Sequence, residues 1–392
     1  MEDFLYYTPT KVYFGQNTEK DLTEAVTNEH VKKIMVVYGG GSVIRSGLFD
    51  RVCSILHRIG VDTVSLAGVK PNPRLSKVYE GIELAKKEGV ELLIAIGGGS
   101  VIDTCKAIAA GLYYDGDVWD LYTGKAICQG SYPVGAVLTI AATGSEMSNG
   151  SVITNDENLL KRSFDSDFCR CKFAIMNPEF TYTLPAYQTS SGCVDIIMHT
   201  LERYFSFEYM VLTDNIAASI VHTIMRYGKV ALAKPDDYEA RANIMWAGSL
   251  SHNGLTGCGT TGDWASHFIE HELGGMFDVA HGAGLSAVWG SWARYVVDSN
   301  VERFVMFARD ILKLTQAENM SDRDFALIGI SKMEEYFTSL NMPITLHELG
   351  VEATDADIHA MAVKCTDCDT HTIGHFRQLT SADIEKILLA AR

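Results

Sequence analysis

Five side chains in the second half of the chain have the types and spacing that bind a metal ion. Asp195 and His199 stand four residues apart in CVDIIMHTLERYF. His267 and His271 repeat that interval in WASHFIEHELGGMFDVAHGAGLS, and His281 follows ten residues after His271. An i, i+4 pair lies on one face of a helix, one residue above the other. Two such helices face to face would aim one carboxylate and two or three imidazoles at a single point. That donor set suits a divalent transition metal: imidazole fits zinc, iron or nickel, and one carboxylate adds charge while leaving coordination positions open. A histidine on a helix face is also a common core or surface residue, so spacing alone leaves both readings open. A second cluster, Cys365-x-x-Cys368 followed by His371 and His375, has the look of a small zinc site. Its gap between cysteine and histidine is far shorter than in a zinc finger and no glycine turn separates the cysteines, so a loop is expected there. Cys169 and Cys171 flank Arg170 on an expected strand, facing one side, with no role assigned.

The elements that must position these residues are helices. From residue 186 onward the chain runs in long helical periods: AYQTSSGCVDIIMHTLERYF, LTDNIAASIVHTIMRYG, DDYEARANIMWAGSLSHNGL and DWASHFIEHELGG, then stretches around 284–297, 301–313, 322–340, 354–364 and 381–391. Gly and Pro are sparse inside them. The first half reads differently. Short apolar runs at 34–38, 61–66, 92–96 and 132–140 alternate with helical stretches, which predicts a parallel sheet with crossover helices. SVIT (151–154) and KRSF (161–164) predict a hairpin. The domain boundary is expected near Leu184–Pro185, giving an α/β domain over 1–184 and an all-α domain over 185–392.

Two glycine turns follow buried strands: Gly39-Gly40-Gly41-Ser42 and Gly97-Gly98-Gly99-Ser100. Glycine lets backbone N–H groups approach a ligand, and a helix N-terminus favours an anion. Neither turn has the G-x-G-x-x-G spacing, and a tight strand-to-helix turn with no ligand would look the same. Both would open at the carboxyl edge of a parallel sheet, where α/β folds bind ligands, which favours a dinucleotide. Asn72 in the Pro71-Asn72-Pro73 turn, Asp103 behind Ser100, and Thr139, Thr143, Ser145 and Asn149 in the turn after the fourth run join the candidates for that edge. Lys161 can reach a phosphate or ribose oxygen, or stand as a plain exposed lysine.

Bulk properties narrow the field. At 392 residues, with 47% hydrophobic and 21% charged residues, the chain has the composition of a globular protein with a large core, most simply in two domains. A net charge of −16 argues against a nucleic-acid partner, because polyanion binding needs clustered Lys and Arg. No apolar run has the length of a membrane span. The acidic, aromatic start lacks a secretory pattern, and nine cysteines without a regular framework predict reduced thiols in the cytoplasm.

The residues GGGSVID (97–103), AATGSE (141–146), DIIMHTLE (195–202), ARANIMWAG (240–248) and HFIEHELGG…AHGAG (267–284) resemble the iron-dependent, group III alcohol dehydrogenases, closest to their butanol dehydrogenase branch, over essentially the whole chain. The resemblance implies the architecture shared with dehydroquinate synthase: an N-terminal dinucleotide-binding domain and a C-terminal helical domain, with the active site in the cleft between. It implies Asp195, His199, His267 and His281 as metal ligands. It places His271 near the nicotinamide and substrate, where it is the candidate catalytic proton relay. It puts Gly97, Gly98, Gly99 and Ser100 at the pyrophosphate, and Asp103, Thr139, Thr143 and Lys161 around the nicotinamide half. Members preferring NAD tend to carry an Asp after the first strand; here Gly40, Gly41 and Ser42 stand there, so NADP is expected over NAD, since a carboxylate would repel a 2′-phosphate. Arg45 lies nearby.

The expected activity is reversible hydride transfer between NAD(P) and short- to medium-chain alcohols and aldehydes. The expected metal is Fe2+, with Zn2+, Ni2+ or Mn2+ as alternatives. Aromatic residues such as Trp264 and Phe268 suit an aliphatic substrate. The rival readings are a polyol dehydrogenase, a dehydroquinate synthase-like lyase, or a nucleotide-binding sensor without catalysis. A homodimer through the N-terminal strand is implied.

Overall fold

The computed structural model describes residues 1–392, which form two compact units: Tyr7–Leu184, and Met1–Tyr6 together with Pro185–Arg392. The first six residues thus belong with the helices and not with the sheet, which corrects the expected 1–184 domain at its start. They are held there by a bond from the Glu2 amide to the Gly259 carbonyl at 3.0 Å, and the Met1 and Tyr6 side chains lie against Gly259 and Gly254.

In the first unit eight strands appear: β1 (Lys11–Phe14), β2 (Lys33–Tyr38), β3 (Asp62–Leu66), β4 (Leu92–Gly97), β5 (Val134–Leu138), β6 (Gly150–Asn155), β7 (Leu160–Asp165) and β8 (Phe173–Met176). Six form one sheet in the order β1-β8-β5-β4-β2-β3, every neighbour parallel. Parallel strands covered on both faces need continuous apolar runs, and β4 (LLIAIG) is buried along its whole length. The long helices of this unit are α1 (Leu48–Arg58), α2 (Leu75–Glu88) and α3 (Gly99–Tyr113). Ile34, Val36, Leu92, Ile94, Val137, Phe173 and Ile175 pack with apolar residues of α1 into one core. Strands β6 and β7 form the antiparallel hairpin that the sequence predicts.

The second unit is helical: α4 (Ala186–Tyr204), α5 (Val211–Ala233), α6 (Tyr238–His252), α7 (Ala265–Phe277), α8 (His281–Val296), α9 (Asp322–Ser339), α10 (Asp355–Cys365) and α11 (Ser381–Ala391). Helix α4 is buried from Thr189 through Tyr204, and α5, α6 and α8 pack around it. A helix covered on all sides cannot keep a polar face for water, so its polar residues must find partners inside. The expected helix over 301–313 is instead a short α-helix, Val301–Met306, followed by a π turn, Phe307–Ile311. There the Leu312 amide reaches back five residues to the Phe307 carbonyl at 3.0 Å, and the Ile311 carbonyl is taken by the His222 ring at 2.5 Å.

Candidate metal centre and the glycine edge of the sheet

The glycine turns stand at the ends of neighbouring strands. Tyr38 at the end of β2 pairs in register with Ile96 of β4, so Gly39–Ser42 and Gly97–Ser100 share one edge. The second turn is tightly packed. A Cβ on Gly98 would come 2.9 Å from Ile140, and one on Gly99 would come 2.4 Å from the Thr143 hydroxyl. The triplet therefore lets the backbone at the start of α3 approach the 140–143 segment, leaving Thr139 and Thr143 half-buried beside it. The first turn is open: Gly40, Gly41 and Ser42 are exposed, and a Cβ on Gly40 would meet nothing.

Asp103 is buried, and both its oxygens serve the protein itself. Ser145 Oγ donates to one at 2.6 Å and the Val152 amide to the other at 3.1 Å. Burial pushes its carboxyl above the usual range, against the pull of Lys106. Lys106, which sequence reasoning passed over, is fully buried and donates to the Ser148 and Gly150 carbonyls at 3.0 and 2.8 Å. Together Asp103 and Lys106 pin the 145–152 turn, which carries Asn149, onto α3. Lys161 is buried on β7 and is not an exposed lysine; Asn72 is buried with a left-handed backbone, φ 49°. The structure thus gathers Gly97–Ser100, Asp103, Thr139, Thr143 and Asn149 around one strand-helix junction.

In the helical unit, Asp195, His267 and His281 converge: one ligand atom from each lies within 4.8 Å of the others. Asp195 and His199 occupy successive turns of α4, His267 sits in the first turn of α7, and His281 opens α8. His199 Nδ1 lies 3.4 Å from Asp195 Oδ1, and its ring centroid is 4.8 Å from that of His267. It stands against the cluster as a fourth candidate and is not one of the three converging atoms. His199 Nδ1 is buried and makes no hydrogen bond; burial first, then the neighbouring histidines, hold its pKa well below the usual histidine value, so the ring is neutral, as a ligand must be. A buried carboxylate beside the neutral His199 ring, with His267 and His281 converging on it, is a costly arrangement without a cation. The donor set therefore fits a divalent transition metal.

Two acids that the sequence reading did not single out stand behind the histidines. Glu202 Oε1 accepts the His267 amide at 3.1 Å and lies 3.0 Å from His267 Nδ1. Glu270 Oε2 is hydrogen-bonded to His281 Nδ1. In each case the bonded Nδ1 leaves Nε2 to face the cluster, and His281 Nε2 lies 3.6 Å from Asp195 Oδ1. Carboxylates bonded to the outer nitrogen of metal-ligating histidines fix tautomer and ring orientation. The spacing held a signal for both: Glu202 is seven residues after Asp195, on the same helical face, and Glu270 lies three residues after His267.

Close helix packing makes the convergence possible. A Cβ on Gly282 would fall 2.0 Å from the Ser191 carbonyl oxygen, and one on Gly284 would fall 2.8 Å from Glu270 Cγ. Only glycine at these two places lets α8 bring His281 up to α4 and α7. Asp263 braces the start of α7. It accepts the Ala265 amide at 3.2 Å on one oxygen, and the His375 and Phe376 amides at 2.9 and 2.8 Å on the other.

His271 is buried one turn after His267, its ring centroid 6.0 Å from that of His281. His252, also unforeseen, closes α6 with its ring centroid 4.1 Å from that of His199. Trp264 packs against His267 at 5.2 Å between centroids, with the Arg203 guanidinium over its face at 4.4 Å.

The other sulfur sites resolve differently from a metal reading. Cys365 is buried at the end of α10 while Cys368, His371 and His375 are exposed, and they form no ligand cluster. The loop expected there is what the structure has. Cys169 lies in a 3-10 turn, Asp167–Cys169, and not on a strand, because Ser166 caps the turn by accepting the Phe168 amide.

The family described as iron-containing alcohol dehydrogenase matches residues 9–178, and its C-terminal counterpart matches residues 189–392. The chain is 39% identical over 389 residues to NADH-dependent butanol dehydrogenase A of Clostridium acetobutylicum, covering 99% of each. It is 33% identical over 358 residues to the NADPH-dependent aldehyde reductase YqhD of Escherichia coli, covering 90% of this chain and 91% of that one. The crystal structure of NADH-dependent butanol dehydrogenase A from Thermotoga maritima superposes with a TM-score of 0.95 at 37% identity, covering 100% of this chain and 99% of the other.

Proposed function

The chain belongs to the iron-containing alcohol dehydrogenase family, and from that premise we propose that it interconverts short- to medium-chain aliphatic alcohols and aldehydes with NADP(H), using a divalent metal held by Asp195, His199, His267 and His281. The observation that carries this reading is the convergence of Asp195, His267 and His281 within 4.8 Å, with Glu202 and Glu270 bonded behind two of the histidines. When bound, the ion supplies Lewis acidity to a substrate oxygen and the nicotinamide supplies or accepts the hydride.

The chain's own residues do the rest. Glu202 and Glu270 hold the imidazole rings in the tautomer that presents Nε2. Trp264 gives the site an apolar wall that suits an alkyl chain. His271 is the residue assigned to pass the alcohol's proton to solvent. Gly97–Ser100 present backbone amides to a pyrophosphate, with Asn72, Thr139, Thr143, Asn149 and Lys161 completing the dinucleotide site. Gly40, Gly41 and Ser42 put no carboxylate where an adenosine ribose would bind, which supports NADP, although the relatives' names include both NADH-dependent and NADPH-dependent enzymes. The free cysteines support a reducing compartment, the cytoplasm. No helix is long and apolar enough to cross a membrane.

The test combines metal analysis of the purified protein with oxidation of NADPH and NADH by butanal and longer straight-chain aldehydes, and with glycerol oxidation as the polyol control. Near-stoichiometric divalent metal and faster NADPH oxidation with butanal are expected. Asp195→Ala should lose both metal and turnover; an Asp195→Ala protein that keeps both removes Asp195 from the ligand set.

A further inference from the structure

The β6–β7 hairpin carries Lys161 and is fixed to the rest of the α/β unit at both ends. At its root the buried Lys106 ammonium holds the Ser148 and Gly150 carbonyls. At its tip it meets the turn that carries Asn72. The Thr154 amide donates to the Pro73 carbonyl at 2.7 Å, and Thr154 forms a parallel bridge with Arg74. Two residues on, Asp156 Oδ2 accepts the Ser76 amide at 3.1 Å, and its other oxygen lies 4.0 Å from Arg74 Nε. Ser76 is in the first turn of α2, whose N-cap residue, Arg74, makes no side-chain cap. Asp156 thus supplies, from the hairpin tip, the acceptor and the negative charge that a helix N-terminus takes from a capping side chain. Asn155 and Asn158 accept the Glu157 and Leu160 amides at 2.9 and 3.3 Å. Those two bonds shape the tip from within, whereas the Asp156 bond ties it to α2.

We infer that Asp156 is a positioning residue for the dinucleotide: it latches the hairpin tip to α2 and so holds Lys161 and Asn72 at one site. The inference rests on the reading of Lys161 and Asn72 as cofactor residues. Thr154 and Lys161 are register partners, and cross-strand partners project from one face with their Cβ atoms about 5 Å apart. Lys161 therefore moves with Thr154, and Thr154 is tied to Pro73, the residue after Asn72. Both Asn72 and Lys161 are buried, so neither has room to find the ligand by swinging freely. A two-stranded hairpin is marginal by itself in water, and the placement of its tip depends on what it docks against. Asp156 is exposed and acts through these neighbours. By charge alone a carboxylate near an anionic cofactor weakens binding; as a latch it strengthens binding. The two roles predict opposite results when the carboxylate is removed.

The test is binding of NADPH or NADH, whichever the wild type holds more tightly, to the intact metal-loaded enzyme, followed by nicotinamide fluorescence. Asp156→Ala should raise Kd, and KM for that cofactor with butanal, by about tenfold, the worth of one charge-assisted hydrogen bond. Metal content and kcat at saturating cofactor should stay at wild type. Asp156→Asn, which keeps an oxygen for the Ser76 amide, should recover most of the affinity. Hydrogen exchange in the wild type needs no variant: the cofactor should slow peptides spanning 72–78 and 152–162 together. In Asp156→Ala without cofactor both peptides should exchange faster than in wild type. An Asp156→Ala enzyme that binds the cofactor as well as wild type, or better, overturns the inference, and so does an Asn variant as weak as the Ala variant. A wild type that binds neither NADPH nor NADH is a different result, and it brings down the dinucleotide reading itself.

Discussion

At the scale of single residues, two buried acids decide how well the histidines are aimed. Glu202 and Glu270 touch no substrate, yet each takes the outer nitrogen of a proposed ligand. Glu202→Gln and Glu270→Gln should each weaken metal affinity by roughly 10–100-fold, read by competition with a chelator, while far-ultraviolet circular dichroism stays at wild type. Unchanged affinity would make these acids packing residues. Asp263 gives a pH-dependent prediction. Burial, then the neighbouring Glu202 charge, pushes its carboxyl up to about 7, against an unfolded value of about 4. The folded state thus binds the proton more tightly than the unfolded one. The contribution of this carboxyl to stability is fully present below pH ~4 and is lost as pH rises through 7. Denaturant unfolding of wild type against Asp263→Asn should show the wild type losing ground by a few kcal/mol, on the order of 1.4 per pH unit, between pH 4 and 7. The cost of weakened bonds to the Ala265, His375 and Phe376 amides should be a constant offset. Sequence reading found the histidines because an i, i+4 pair is rare enough to notice. It passed over Glu202 and Glu270 because acids inside helical runs usually face water, and only the burial of these two side chains in the fold reveals otherwise.

At the scale of elements, the centre depends on how closely α8 approaches α4. Gly282→Ala would set a methyl 2.0 Å from the Ser191 carbonyl oxygen, a backbone atom that cannot swing aside. The helix would have to retreat and carry His281 with it. A stability loss of about 1–3 kcal/mol is expected from such overpacking, together with loss of bound metal. A variant that melts and binds metal like wild type would show that the approach is not needed. The alternation of apolar runs and helical stretches was enough to predict the parallel sheet, the hairpin and the helical second half. The π turn at Phe307–Ile311 and the 3-10 turn at Cys169 were not legible, because each depends on a bond that local pattern does not display: His222 to the Ile311 carbonyl, and the Ser166 cap. The AHGAG stretch was visible as a family motif, but its packing purpose needed the coordinates of Ser191.

At the scale of the whole molecule, the two units should answer metal differently. A ligand bound only by the folded state stabilises it by about 4 kcal/mol at a thousandfold excess over its dissociation constant. Chelation should therefore speed amide hydrogen exchange in α4, α7 and α8 while exchange in β2, β4 and β5 stays as before. Equal acceleration in both units would deny a metal site confined to the helices. The boundary near residue 184 was visible as a change of texture. The return of residues 1–6 to the helical unit was not, because nothing in MEDFLY says which surface it will lie on.

The sheet order has one more consequence, for how the chain is made. Lys11 of β1 pairs with Phe173 of β8, so β1 leaves the ribosome long before its partner and pairs only after nearly all of the α/β unit has been synthesised. Pairings so distant along the chain are slow to close, and a strand waiting for one is exposed to the wrong neighbour. KVYF is such a strand, short and half aromatic, and its wait should make newborn protein the state most in need of a chaperone.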